Sequence, residues 1–161
     1  MALTGFAKAN LDSQGFGDLA EEAKFRLRWP LRFTPAVSTA LVATGLALRS
    51  PIWVGSMAVV ALSGVLVPSG MLVDVLYNLG FRHLFRSPPL PPTPKPRRFS
   101  YGLSCLLLAA SARSLERGLT VLGLVLGGIV VIGGTILTTT LWCLGSFVYR
   151  QLLGQELPIR K

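Results

Sequence analysis

Residues 118–149 read GLTVLGLVLGGIVVIGGTILTTTLWCLGSFVY, thirty-two positions without one charged side chain. No soluble helix of that length lacks a polar face. A lipid-crossing helix needs about 20 apolar residues. As one helix this run would reach about 48 Å at 1.5 Å per residue, more than a bilayer core requires. It is expected to tilt, or to protrude as a helix carrying Tyr149 and Arg150.

The rest of the chain follows the same composition. Of 161 residues, 51% are hydrophobic and 14% charged, against roughly 25% charged in a soluble domain. Mean hydropathy is +0.57. A first apolar run, FTPAVSTALVATGLAL (residues 33–48), lies between Arg32 and Arg49. At about 24 Å it is short for a core of about 30 Å, and its flanking arginines are expected to snorkel. Pro35 suits its first turn. A second run, PIWVGSMAVVALSGVLVPSGMLV, starts after Ser50 and is expected to kink or end near Pro68 and Gly70. A third, FSYGLSCLLLAASA (99–112), must borrow from its flanks, from about Arg98 to Leu115. Arg113, Glu116 and Arg117 then form a solvated turn.

Three segments are polar. Residues 1–32 are expected to carry no cleavable signal, since they have no early apolar core, and no lipidation motif. Asp18 is a candidate cap, with Glu21 as its capping-box partner, for an interfacial helix ending at a Trp29 anchor. A disordered tail is the alternative. MLVDVLYNLGFRHLFR (71–86) alternates apolar with polar residues and reads as an amphipathic helix lying along the interface. Asp74 is expected to pair there with Arg82 or Arg86. SPPLPPTPKPRR (87–98) has six prolines in residues 87–96 and reads as an extended, stiff linker.

The predicted fold is all-α: a polytopic integral membrane protein with four transmembrane helices in two hairpins, plus interfacial amphipathic helices. Residues 1–32 form the N-terminal segment, 33–73 the first hairpin and 74–98 the amphipathic segment and linker. Residues 99–153 form the second hairpin and 154–161 the tail. Thirteen bases fall on the side of both ends and the linker, and three (Arg49, Arg113, Arg117) in the two outer turns. The positive-inside rule puts both termini in the cytoplasm. The +9 net charge thus meets anionic headgroups. Nucleic acid is not the expected partner, because no basic cluster is interleaved with aromatics on a polar scaffold.

Few residues carry chemistry. Gly123, Gly127, Gly128, Gly133 and Gly134 form a small-residue surface for close helix packing, against another span of this chain or a second protein. His83, the single histidine, is a weak candidate for binding a cofactor axially. One histidine and two cysteines do not make a zinc site, so no metal is expected. Cys143 is a redox candidate, but Ser146 stands where a second sulfur would be needed. Apolar packing is the plainer role for Cys143, and Ser146 is expected to bond a carbonyl one turn back.

Four pieces carry a resemblance: Arg49-Ser50-Pro51-Ile52-Trp53, Lys95-Pro96-Arg97-Arg98-Phe99, Gly118-Leu119-Thr120-Val121-Leu122-Gly123, and Cys143-Leu144-Gly145-Ser146-Phe147-Val148-Tyr149. Over residues 32–153 the chain resembles the small bacterial membrane family known as domain of unknown function 4395. The resemblance implies four spans in a bacterial inner membrane and no established biochemistry. Members commonly end in Cys-Leu-Gly-Cys, which implies a thiol-redox or sulfur-handling idea. Ser146 in place of the second cysteine, and Thr138–Thr140 in place of an acid, weaken that role in this chain.

No catalytic residues are expected and no soluble small-molecule substrate is evident. The expected function is that of a non-enzymatic accessory or assembly subunit of a larger membrane complex, with an energy-conversion complex as one candidate. Its partners would be the lipid bilayer and other membrane subunits; any cofactor is unknown. The alternatives are a thiol-redox or sulfur-relay protein using Cys143, and a small transporter with only Ser38, Thr39 and Thr135 to line a path.

Overall fold

A computed structural model describes residues 5–67, 70–84 and 87–153. Those residues are helical or irregular, with no strand among them. Pro68, Arg86 and the tail from 154 onward lie outside the described residues.

Four long helices form the body: α3 (Pro30–Ala47), α4 (Pro51–Leu66), α7 (Lys95–Glu116) and α8 (Thr120–Thr140). Each packs on two others in the ring α3–α4–α7–α8. Short turns make α3 and α4 one antiparallel pair and α7 and α8 another. Ser50 accepts from the Trp53 amide at 3.3 Å and so caps α4, whose first residue is Pro51. Among the described residues α8 alone is both long and apolar enough to cross a membrane, while α4 is apolar but has only 16 residues.

The helices differ from the sequence expectation at their ends. Pro30, not Pro35, occupies the first turn of α3. Helix α7 runs 22 residues and takes in Lys95, Arg97 and Arg98 because Pro96 sits in its first turn, where a missing N–H costs nothing. The long uncharged run is neither one tilted helix nor one protruding helix. It breaks at Leu141, which adopts the left-handed conformation (φ 58°), and α9 (Leu144–Leu153) leaves in a new direction.

The N-terminal segment explains that break. It holds α1 (Gly5–Leu11), a wide turn over Asp12–Phe16 and α2 (Glu21–Leu27). It is folded onto the end of the bundle. Leu11, Phe16, Leu27, Leu31, Tyr77, Leu90 and Leu141 form one buried cluster there. A left-handed non-glycine residue costs about 1–2 kcal/mol, and the buried Leu141 side chain offsets it. The last carbonyls of α8 find distant partners. Asn10 donates to the Thr140 carbonyl (2.8 Å), Gln14 to that of Leu141 (2.6 Å) and Arg32 to that of Thr139 (3.0 Å). Arg98 does the same for α4 at the Val65 carbonyl (3.0 Å). Helix C-termini carry orphan carbonyls and partial negative charge, so amide and cationic donors belong there.

One further expectation is corrected. Asp18 caps nothing: α2 begins at Glu21 after Ala20, with no side-chain cap bond. Lys24 is buried, donating to Asp12 (2.5 Å) and the Gly17 carbonyl (3.0 Å). Trp29 is 66% exposed at the rim.

Candidate functional site

The segment after α4 builds the site. Helix α5 (Leu72–Leu76) continues through a wide turn at Tyr77–Phe81 into α6 (Arg82–Leu84). Leu72, Leu76, Leu79 and Leu84 face outward, whereas Val73, Asp74 and Tyr77 are buried. Asp74 is therefore turned into the bundle, away from Arg82. Arg82 instead lies beside exposed His83, its Nε 3.2 Å from the imidazole Nε2. The pairing expected with Arg82 fails because the apolar edge of the helix, not its polar edge, is on the outside; the alternative, Arg86, lies outside the described residues.

Asp74 is held by three donors: the Thr34 hydroxyl on Oδ1 (2.6 Å), and the Met71 amide (2.9 Å) and Tyr101 hydroxyl (3.2 Å) on Oδ2. Tyr101 in turn accepts from Arg97 Nε at 3.0 Å. Arg97 is 4% exposed. The result is a buried carboxylate and a buried guanidinium bridged by a phenol, drawing on α3, α5 and α7. Buried charges persist only when paired and hydrogen-bonded.

Cys143 stands next to this network. It is buried at the start of α9, and its Sγ lies 3.1 Å from the Ser100 hydroxyl. Gly145 permits that approach, since a Cβ there would stand 2.7 Å from the Ser100 Cβ. Arg97, Ser100 and Tyr101 line the same cavity as Cys143, so the surroundings of the thiol are not purely apolar. Both cysteines are free, and Cys105 lines a separate groove between α4 and α7. Ser146 makes no carbonyl bond one turn back: its hydroxyl is fully buried without a partner. Arg150 bonds the carbonyls of Ser13 (2.9 Å) and Asp12 (2.7 Å).

The five glycines divide. Gly123 backs onto Leu115 and Ser111, Gly127 onto Leu46 and Ser111, and Gly134 onto Thr39, all within this chain. Ser111 also donates to the Gly123 carbonyl at 2.6 Å. Gly128 and Gly133 meet nothing within 4 Å. Gly123, Gly127 and Gly134 share one helix face by their spacing of four and seven.

Inside the ring lies a partly open cavity of about 150 Å³. Val42, Met57, Leu108 and Val130 line most of it, and Ser38, Arg97, Ser100, Tyr101 and Cys143 line its polar part. Thr34, Arg97, Ser100 and Tyr101 were not singled out from sequence. A signal was present: Arg97, Tyr101, Ser104, Leu108 and Ser111 recur at steps of four and three, the inward stripe of one helix. Among the described residues no group of three or more His, Cys, Asp or Glu could hold a metal ion.

No curated protein and no solved structure matches the chain. The sequence model of one family, described as Domain of unknown function (DUF4395), matches residues 29–153, which covers α3 to α9 and every residue of the Asp74–Tyr101–Arg97 network, and the chain belongs to that family.

Proposed function

We propose that this chain is a four-span integral membrane protein of the bacterial cytoplasmic membrane, crossing with α3, α4, α7 and α8. It acts as a non-catalytic accessory or assembly subunit beside other membrane proteins. The membrane part is supported by where apolar and polar groups go. Ile52, Val59 and Leu66 on α4, Leu106 on α7, and Val121, Val125 and Ile132 on α8 are all more than half exposed, while Thr34, Asp74, Arg97, Ser111 and Ser146 are buried. In water, an apolar shell of this extent would aggregate; in lipid it is the expected exterior. Arg32 and Arg98, at the borders of the crossings, cap helix ends as lipid demands. Both termini and the proline linker fall on the cytoplasmic side by the distribution of bases.

The observation that carries the subunit role is the outer face of α8. Gly128 lies open on it, flanked by exposed Val125, Ile129 and Ile132, whereas Gly133 opens onto the cavity between the helices. Small residues among branched ones let a neighbouring helix approach closely. The test is a mild-detergent pulldown from native membranes with mass spectrometry. A partner should copurify at fixed stoichiometry and be lost on Gly128→Leu, with the thermal midpoint of the isolated chain unchanged. A wild-type chain that elutes without a partner overturns the reading. Gly127→Leu is the wrong variant, because it would strike Leu46 of the same chain.

A further inference from the structure

The cavity between the four helices is not used by the subunit reading, and its chemistry is specific. Its volume of about 150 Å³ is that of a site able to take one six-membered ring. Most of its wall is aliphatic, which suits a ligand that arrives from lipid. Its polar part is neutral overall, because the buried Arg97 guanidinium is matched by the Asp74 carboxylate through Tyr101. A matched pair leaves no net charge to attract an anion, so a fatty acid is disfavoured.

Donor and acceptor inventories narrow the ligand further. Asp74, the acceptor of this region, is already engaged by Thr34, Met71 and Tyr101. Ser38 lines the cavity, and its buried hydroxyl has no partner. Arg97, which brings only donors, lines it too. Beyond the bond from Arg97 Nε to Tyr101, neither Arg97 nor Ser38 has an acceptor for its donors among the described residues. A carbonyl oxygen offers two lone pairs and no proton that would itself need a partner.

We infer that this cavity binds the ring of a neutral, lipid-soluble carbonyl compound of the quinone class. The ring lies among Val42, Met57, Leu108 and Val130, a carbonyl accepts from Ser38, and the tail leaves through the open side. Binding alone is inferred, with no electron transfer, and it requires no protein partner. Its failure is therefore separable from failure of the subunit reading.

The test uses the full-length protein in lipid nanodiscs and a labelled benzoquinone bearing a decyl tail, with equilibrium uptake compared against empty nanodiscs. Saturable uptake of one molecule per chain is expected. Ser38→Ala should weaken it about tenfold, as loss of one buried hydrogen bond would, and Ser104→Phe, which fills the cavity, should abolish it. Should the phenylalanine variant not fold, competition on the wild type decides. Decanol and decanoate, with the same tail, should displace the label only at concentrations at least tenfold higher than unlabelled quinone. Uptake no greater than in empty nanodiscs overturns the inference. So does displacement by decanol or decanoate as readily as by quinone, which would make the cavity a hydrocarbon or anion slot.

Discussion

The two ends of the helix bundle solve one problem in opposite ways. At one end the hairpins turn at Leu48–Ser50 and Arg117–Leu119. There the orphan groups are closed locally: Arg49 N–H to the Leu46 carbonyl, Ser50 N–H to Gly45, Gly118 N–H to Leu115 and Leu119 N–H to Ser114. Arg49 (φ 49°) and Gly118 (φ 76°) make the corners. At the other end the partners come from far along the chain, Asn10 to Thr140 and Gln14 to Leu141, and the groups are buried. The difference teaches that burial, rather than the number of bonds, sets what each end is worth. An exposed group that loses its partner finds water, whereas a buried one does not.

The comparison breaks first at Asp74, if it breaks at all. Asp74→Ala strips the acceptor from Thr34, Met71 and Tyr101 and leaves Arg97 uncompensated. Removing one member of a buried charge network costs about 3–5 kcal/mol, so the thermal midpoint of the detergent-solubilised protein should fall further than with any other variant discussed. Arg97→Met together with Asp74→Ala should cost less than the sum of the two single changes, because neither buried charge is then left alone. Full additivity would mean the two groups do not sense each other through Tyr101.

Gln14 tests the long-range caps. Its side chain is 1% exposed and donates to the carbonyl of left-handed Leu141. Gln14→Ala leaves that carbonyl buried without this donor, at about 1–3 kcal/mol. Amide exchange should rise at the α8–α9 junction and stay unchanged at the two short turns. Equal acceleration at both ends would show that the N-terminal segment stabilises the bundle globally instead of holding the break.

How much of this was legible follows the same division. The four long helices were visible because uncharged runs and prolines are local signals; Pro51 marks a helix start within its own segment, whereas Pro96 reads as linker and in fact opens α7. The break at Leu141 was not visible. Leu-Trp-Cys contains neither glycine nor proline, and what stops the helix there is a pocket for Leu141 and the amides of Asn10 and Gln14, about 130 positions away. Asp74 was misread for a related reason. Its spacing to Asn78 and Arg82 marks a polar face, and in a water-soluble helix that face would be outside. With an apolar exterior the same periodicity holds and its direction reverses. The glycines were legible in kind but not in phase: their spacing groups 123, 127 and 134, yet only the position of α3 and α7 tells which face is covered. The cavity was partly written in the stripe from Arg97 to Ser111, but Arg97 was counted among the bases of the linker and Tyr101, Ser104 and Ser111 were given no role.

The short-turn end predicts smaller effects. Ser50 caps α4 through one bond of 3.3 Å to an exposed amide. Ser50→Ala should cost about 0.5–1 kcal/mol, within the range for a lost N-cap, and leave exchange at the α8–α9 junction untouched. A loss as large as that of Gln14→Ala would mean this turn does more than end a helix.

The smallest effect belongs to Glu116. It pairs with Arg113 across three residues at 2.5 Å, and both side chains are 59% exposed. Such a pair gains little Coulomb energy in water and loses side-chain freedom, so exposed pairs of this spacing contribute about 0.3–0.5 kcal/mol. Glu116→Gln should therefore move the thermal midpoint hardly at all, and salt should shrink even that. The membrane reading sharpens the expectation. Were Glu116 at the depth of lipid tails, its pairing with Arg113 would be needed to hold both charges there, and Glu116→Gln would rival Asp74→Ala. A small, salt-sensitive effect at Glu116 beside a large, salt-insensitive one at Asp74 would put the first carboxylate in water and the second inside the bundle.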